Sequence, residues 1–385
     1  MSSSLPARTL ARPAFARAFS DAAFLRAMLD FEDALARAQA AEGLIPAAHA
    51  EAIANACGRF DVDLEAFVAE GKQSATLAVP LVRLLKERVP QEVAKSVHLG
   101  ATSQDVLDTA NALCLKACLE EADRSLDAAV RSLAARAREH RATPMAGRTL
   151  MQSAVPITAG LKIARWAVAL QADRERLAEA QEAGLAVQLG GPVGALEALG
   201  ECHGAVRHRL ALALGLADAP SWHSHRNAWI DLLDRIGLVV LTLGKIARDV
   251  ALLMQPEVGE MMESAPREGV GRSSAMPHKR NPVYCAHALA AATRIPGLLA
   301  IVHAGALAEH ERALGGWQAE LATVADIAHA LGSALDFLDT LAAGLVVDPA
   351  RMAANLRALG DGRPDVAVLA LRTDELLAGL AASLS

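Results

Sequence analysis

Residues 228–254 read AWIDLLDRIGLVVLTLGKIARDVALLM, and a helix drawn through them has no polar face. Ile230, Leu232, Leu233, Ile236, Leu238, Val239, Val240, Leu241, Leu243 and Ile246 are spread nearly all round it. Such a helix must be covered on most sides, in the middle of a bundle or at a large subunit interface. Long helical patterns also run over about 104–139, 157–183, 284–312 and 318–344. Glycine and proline clusters separate them, such as Gly190-Gly191-Pro192 and the stretch from Pro256 to Pro282. Helices beyond about 25 residues exceed the globular norm and imply a bundle or coiled coil. Five long helices whose inner members need covering argue for oligomerisation.

Composition points the same way. Hydrophobic residues make up 53% of the 385 but aromatic ones only 3%, and the remainder is dominated by residues that lose little freedom in a helix. The expected fold class is all-α. Ahead of the bundle, Phe24, Met28, Phe31, Leu35 and Ala38 form the apolar stripe of a helix at 21–42, ended by Gly43 and Pro46. Shorter helical segments follow at 47–57 and 75–88. Three regions are expected: an N-terminal helical domain over 1–100, a central long-helix bundle over 101–345, and a shortened C-terminal helical segment over 346–385. The last would hold helices at Pro349–Leu359 and about 364–383.

The net charge of −6 gives no overall basic balance for nucleic acid. Five scattered cysteines (Cys57, Cys114, Cys118, Cys202 and Cys285) contain no CxxC pair, which suits a reducing cytoplasm and argues against a zinc site. No dinucleotide, P-loop or H-E-x-x-H pattern is present, so no cofactor and no metal are expected. Arg8, Arg12 and Arg17, with no acid before Asp21, would pass as a transit peptide. An ordered N-terminal arm is the preferred reading. The most apolar runs, Ile236 to Gly244 and Ile295 to Ala308, stop at Lys245 and Glu309, short of a membrane span.

The chemistry concentrates in one loop: Gly271-Arg272-Ser273-Ser274-Ala275-Met276-Pro277-His278-Lys279-Arg280-Asn281-Pro282. Prolines bracket its basic segment, and Gly259, Gly269 and Gly271 loosen the approach, as an active-site lid requires. Two other stretches stand out. His98-Leu99-Gly100-Ala101-Thr102-Ser103-Gln104-Asp105 contains a capping box at the head of the 104–139 helix, and a helix N-terminus with hydroxyls is a ready carboxylate site. Gly147-Arg148-Thr149-Leu150-Met151-Gln152 continues to Pro156-Ile157-Thr158. Arg226, after Trp222, His223 and His225, is a candidate carboxylate clamp, and the histidines are read as a substrate-facing strip.

These three stretches together resemble the fumarase/aspartase superfamily, whose signature S-S-x-M-P-x-K-x-N-P the loop matches. The resemblance covers roughly residues 19–345. It extends to Phe31–Ala38, Leu243–Asp249, Glu309-His310-Glu311-Arg312 and Trp317, which are most similar to the 3-carboxy-cis,cis-muconate cycloisomerase branch. It implies a central helical bundle of the fumarase/aspartase type and a cytoplasmic homotetramer with active sites shared between subunits. The implied substrate is a small tricarboxylate, lactonised during aromatic degradation.

By the same resemblance Ser273 is the acid/base and Lys279 acts beside it. His98, Thr102, Ser103, Arg148, Gln152, Arg226, Ser274, Met276 and Asn281 bind substrate. Leu150 stands where the elimination lyases carry a proton-donating histidine, and leucine transfers no proton. The alternatives are a 3-sulfomuconate cycloisomerase, for which Arg272 and Ser153 could shape the pocket, and an elimination lyase such as adenylosuccinate lyase.

Overall fold

The computed structural model describes residues 5–264, 268–273, 275–276, 279–358 and 365–384. Two short helices, α1 (Leu5–Arg8) and α2 (Pro13–Ala18), lead into α3 (Asp21–Ala41), α4 (Ala47–Gly58), α5 (Leu64–Ser74) and α6 (Ala78–Glu87). The long helix α7 (Ser103–Glu139) ends in a hairpin of β1 (Pro144–Thr149) and β2 (Gln152–Thr158). Then come α8 (Ala159–Gly184), α9 (His203–Leu214), α10 (Asn227–Leu253), the two-residue β3 (Met261–Met262), α11 (Val283–Gly305) and α12 (Gly316–Gly344). The two-residue β4 (Val346–Val347), α13 (Pro349–Ala358) and α14 (Val366–Ser383) follow.

Five helices, α7, α8, α10, α11 and α12, pack lengthwise on one another. The expected helices exist, with boundary errors: the reading of 75–88 starts early, because Ala75 is the C-cap of α5 and α6 begins at Ala78, and the expected bounds at 359 and 364 lie outside the described residues. The reading of 284–312 overruns the end of α11 at Gly305, and that of 157–183 takes in Ile157 and Thr158, which belong to β2. Thr158 is the N-cap of α8, its hydroxyl accepting from Leu161 N–H at 3.1 Å. Helix α5 went unread although Asp63 caps it, accepting from Glu65 N–H at 3.0 Å. Helix α9 and the hairpin also went unread.

The arm before α3 packs on the bundle through α2. Phe15 is fully buried, and Arg12 ties the arm to two bundle helices, donating to Glu121 of α7 at 2.7 Å and Asp339 of α12 at 2.9 Å.

The chain direction alternates along the bundle, so the molecule has two distinct ends. One end holds the start of α7, the loop 190–192, residues 222–226 and the start of α12. There Asp105 accepts from Gly190 and Gly191 N–H, both at 2.9 Å. The other end holds the hairpin, β3 paired with β4, and the loop that precedes α11. Helix α7 alone spans the distance: its 37 residues at about 1.5 Å each make a rod roughly 55 Å long.

Helix α10 buries one side, with Leu232, Leu233, Ile236, Val239, Val240, Leu243 and Ile246 fully enclosed. Leu238 and Leu241, on its remaining surface, stay 44% and 41% exposed. By length and composition α11 and α12 are apolar enough to cross a bilayer, although Arg294 interrupts α11. The most apolar stretch of α12 is 67% buried inside the bundle, whereas that of α11 is only 28% buried. One chain leaves much of the apolar surface of α11 without cover.

Candidate active site

The candidate residues fall into three clusters, built separately. At the first end, Thr102 is the N-cap of α7 and its N–H donates to the Asp105 carboxylate at 2.9 Å, the returning arm of the expected capping box. Ser103 opens the helix, half-buried, where free N–H groups and the helix dipole favour an anion. His98 is held at a φ of +61°, with Nδ1 2.6 Å from Glu32 Oε1. Burial alone would lower its pKa, but the Glu32 carboxylate outweighs this and raises it above the ordinary imidazole value.

Arg312 completes this cluster. Its Nη1 donates to Thr102 Oγ1 at 3.1 Å and its Nη2 to the Pro192 carbonyl at 3.0 Å, while its buried Nε has no partner among the described residues. The sequence displayed Arg312 without giving it a role. Only the fold brings it, 210 residues along the chain, onto Thr102.

Arg226, expected to face substrate, is 3% exposed within the chain and its guanidinium is paired with two carboxylates. It donates to both oxygens of Asp108, at 2.7 and 3.2 Å, and to both oxygens of Glu320. Trp317 Nε1 donates to Asp108 and Trp229 Nε1 to Glu320, each at 2.9 Å. Arg226 therefore ties together the starts of α7, α10 and α12. His223 is likewise buried, its Nε2 lying 2.7 Å from Asp105. Only His225 of that strip is exposed.

The second cluster is the hairpin at the opposite end. Arg148 grips the buried Glu260 with both terminal nitrogens, at 2.7 and 2.9 Å, and Asn355 Nδ2 donates to the same carboxylate at 2.9 Å. Within the chain Arg148 anchors the hairpin and presents no free cation. Gln152 is exposed on the first position of β2, next to the tip residues Leu150 and Met151.

The third cluster is the basic loop. Asn281 N–H donates to the Gly271 carbonyl at 2.7 Å and closes its neck. Gly271 has a φ of +78°, and a side chain there would meet Asn281 O at 2.5 Å. Inside the neck, Ser273 Oγ accepts from the backbone N–H of Ala275 at 3.3 Å and of Met276 at 3.2 Å. Two donors on one hydroxyl oxygen favour its anion.

Lys279 is exposed, with no carboxylate partner among the described residues, and Met276 is 41% exposed. Arg272 pairs with Glu268 at 2.8 Å. The loop's far end is anchored by Glu263, which is 2% exposed and accepts from Cys285 N–H at 2.8 Å and Tyr284 N–H at 3.2 Å at the start of α11. Ser274, His278 and Arg267 lie outside the described residues.

A long five-helix bundle whose candidate motifs are divided between its two ends marks the chain as a helical enzyme of the lyase type. The chain belongs to the lyase family of the fumarase/aspartase superfamily, whose model matches residues 7–297. It is 45% identical over 361 residues to a 3-carboxy-cis,cis-muconate cycloisomerase of Bradyrhizobium diazoefficiens, covering 92% of this chain and 80% of that one. The crystal structure of a 3-carboxy-cis,cis-muconate lactonizing enzyme from Pseudomonas putida matches with a TM-score of 0.84 at 37% identity, over 99% of this chain and 90% of that one. A nitrosuccinate lyase of Streptomyces davaonensis is 40% identical, over 89% of this chain and 74% of its own.

Proposed function

We propose that this protein is a cycloisomerase, an intramolecular lyase that lactonises 3-carboxy-cis,cis-muconate within aromatic degradation. The observation that carries the reading is the Ser273 hydroxyl, cradled by two backbone N–H groups in a loop that also carries Arg272, Lys279 and Arg280.

Lactonisation joins a carboxylate oxygen of the substrate to an alkene carbon of the same molecule. The π electrons move toward the neighbouring carbon and its carboxylate, giving an enolate-like anion, and that carbon takes a proton. No atom leaves. Because nucleophile and electrophile share one molecule, holding the right conformer supplies much of the rate. Fixed donors and cations aimed at the developing charge supply much of the rest.

In this reading Ser273 gives the proton, and its alkoxide is held by Ala275 and Met276 N–H and by the loop's cations. Lys279 and Asn281 position carboxylates at the loop. His98, Thr102, Ser103 and Arg312 offer a second carboxylate site, and Gln152 a polar contact from the hairpin. Leu150 argues against the elimination chemistry of an adenylosuccinate lyase, because an aliphatic side chain stands where protonation of an amine leaving group would need a donor. Ser274 is assigned to substrate by its place in the motif alone.

The site is incomplete in one chain, since α7 separates its parts by about 55 Å. We therefore propose a homotetramer with shared sites. The uncovered face of α11 and the exposed Leu238 and Leu241 support this. A cytoplasmic location accords with five unpaired cysteines.

The test is Ser273→Ala, followed by loss of diene absorbance. The expected fall in kcat is about 100-fold or more, and a variant within a few-fold of the parent rejects the assignment. Offering 3-carboxymuconate, 3-sulfomuconate, muconate and adenylosuccinate side by side separates the substrate readings.

A further inference from the structure

The hairpin turns through only two residues. Thr149 and Gln152 face each other as its last pair, so Leu150 and Met151 make the whole turn, at φ values of +50° and +64°. A turn with both central residues in the left-handed region favours Asn-Gly, because a Cβ there crowds the backbone. Leu and Met are poor choices, and neither gains within the chain. Leu150 is 96% exposed and Met151 71%. Backbone strain combined with bare apolar side chains persists where a function outside the local fold uses it.

The mount is stiff. Beneath the turn, Arg148 is locked to Glu260, Asn355 of α13 holds the same carboxylate, and α13 packs against β1. At the bulge, a side chain on Gly147 would come within 2.5 Å of Val155 O, so the strands approach closely. The tip is a rigid apolar projection at the end of the bundle opposite His98, Thr102 and Arg312.

We propose that Leu150 and Met151 are a specificity-determining clamp. They close on the uncharged hydrocarbon of a carboxylated diene, in a site completed by a second copy of the chain. The inference rests on the lactonising reading above. Cations and helix N–H groups handle the carboxylates, but a conjugated hydrocarbon offers them nothing to grip. An apolar wall both recognises it and excludes water, which keeps the donors around the developing anion strong. Leu150, which cannot exchange a proton, suits that task.

The test is the double variant Leu150→Asn/Met151→Gly in the full-length enzyme, read by thermal unfolding, size-exclusion chromatography and steady-state kinetics. Relief of the strained turn raises Tm by about 2 °C, and the assembly keeps its size. On 3-carboxymuconate kcat/KM falls roughly 10- to 100-fold, mainly through kcat, whereas Leu150→Met stays within about threefold. An active parent whose double variant stays within about twofold in kcat/KM overturns the clamp alone. So does a variant that loses its assembly, which would make the tip an interface anchor, or one whose Tm falls. A parent inactive on every muconate overturns the functional reading and takes the clamp with it.

Discussion

Arg226→Met is expected to unfold the protein's first end before it disturbs substrate affinity. Arg226, Asp108 and Glu320 are 3%, 1% and 2% exposed, and the guanidinium is the cation that holds the two carboxylates together. At the 2.7 Å separation of Arg226 from Asp108, the attraction is about 6 kcal/mol for an effective dielectric constant of roughly 20. Desolvation of all three groups offsets much of it. Removing one partner strands a buried charge, a change worth about 3–5 kcal/mol.

The pH dependence follows from the acids. Burial already raises Glu320 above the usual carboxylate range despite Arg226 beside it. Without the cation it rises further, so the folded variant holds a proton that the unfolded chain releases. The sign is then fixed: the variant recovers stability as pH falls through the raised value and loses it as pH climbs back. Urea titrations at one protein concentration, at pH 8 and pH 5.5, should show the larger deficit at pH 8, and Glu320→Leu added to Arg226→Met should recover part of it. A loss under about 1 kcal/mol with a large rise in KM would refute this account and restore Arg226 as a substrate clamp.

Gly271→Ala forces a side chain against Asn281 O in a residue of positive φ, so the loop's neck must open; kcat should fall about tenfold or more while the unfolding midpoint moves little, and unchanged kinetics would deny the neck a role. Glu32→Gln should flatten the pH dependence of stability set by His98. The raised imidazole contributes fully below its ordinary value of 6.5 and loses that contribution as pH rises through the folded value, so the parent weakens in that window and the variant does not, as thermal unfolding from pH 6 to 9 would reveal.

The helices were legible because burial imposes a period on the sequence. Phe31 and Leu35, or Ile236, Val240 and Leu243, are buried and recur at helical spacing. The hairpin was not, because its turn lacks the Asn or Gly that announces such turns, and the strain at Leu150 and Met151 has no signature in residue type. The Ser273 loop could be read since its residues are contiguous and their order is specific. The environment of Arg226 could not, because its partners lie 118 and 94 residues away in sequence. An arginine among aromatic and histidine neighbours looks the same whether it faces solvent or two buried acids. Arg312 posed the mirror problem: visible as a residue, it acquired a neighbour only when the chain folded.

The length of α7 has a consequence for how this sequence can drift. In an assembly that builds each pocket from the far ends of different copies, a substitution near Thr102 is compensated by one near Leu150 or Ser273 of another molecule made from the same gene. Such positions would covary although about 55 Å of rod divides them in any single chain. Reading that covariation as contact would fold the protomer wrongly. Read across copies, it would map how the subunits interlock.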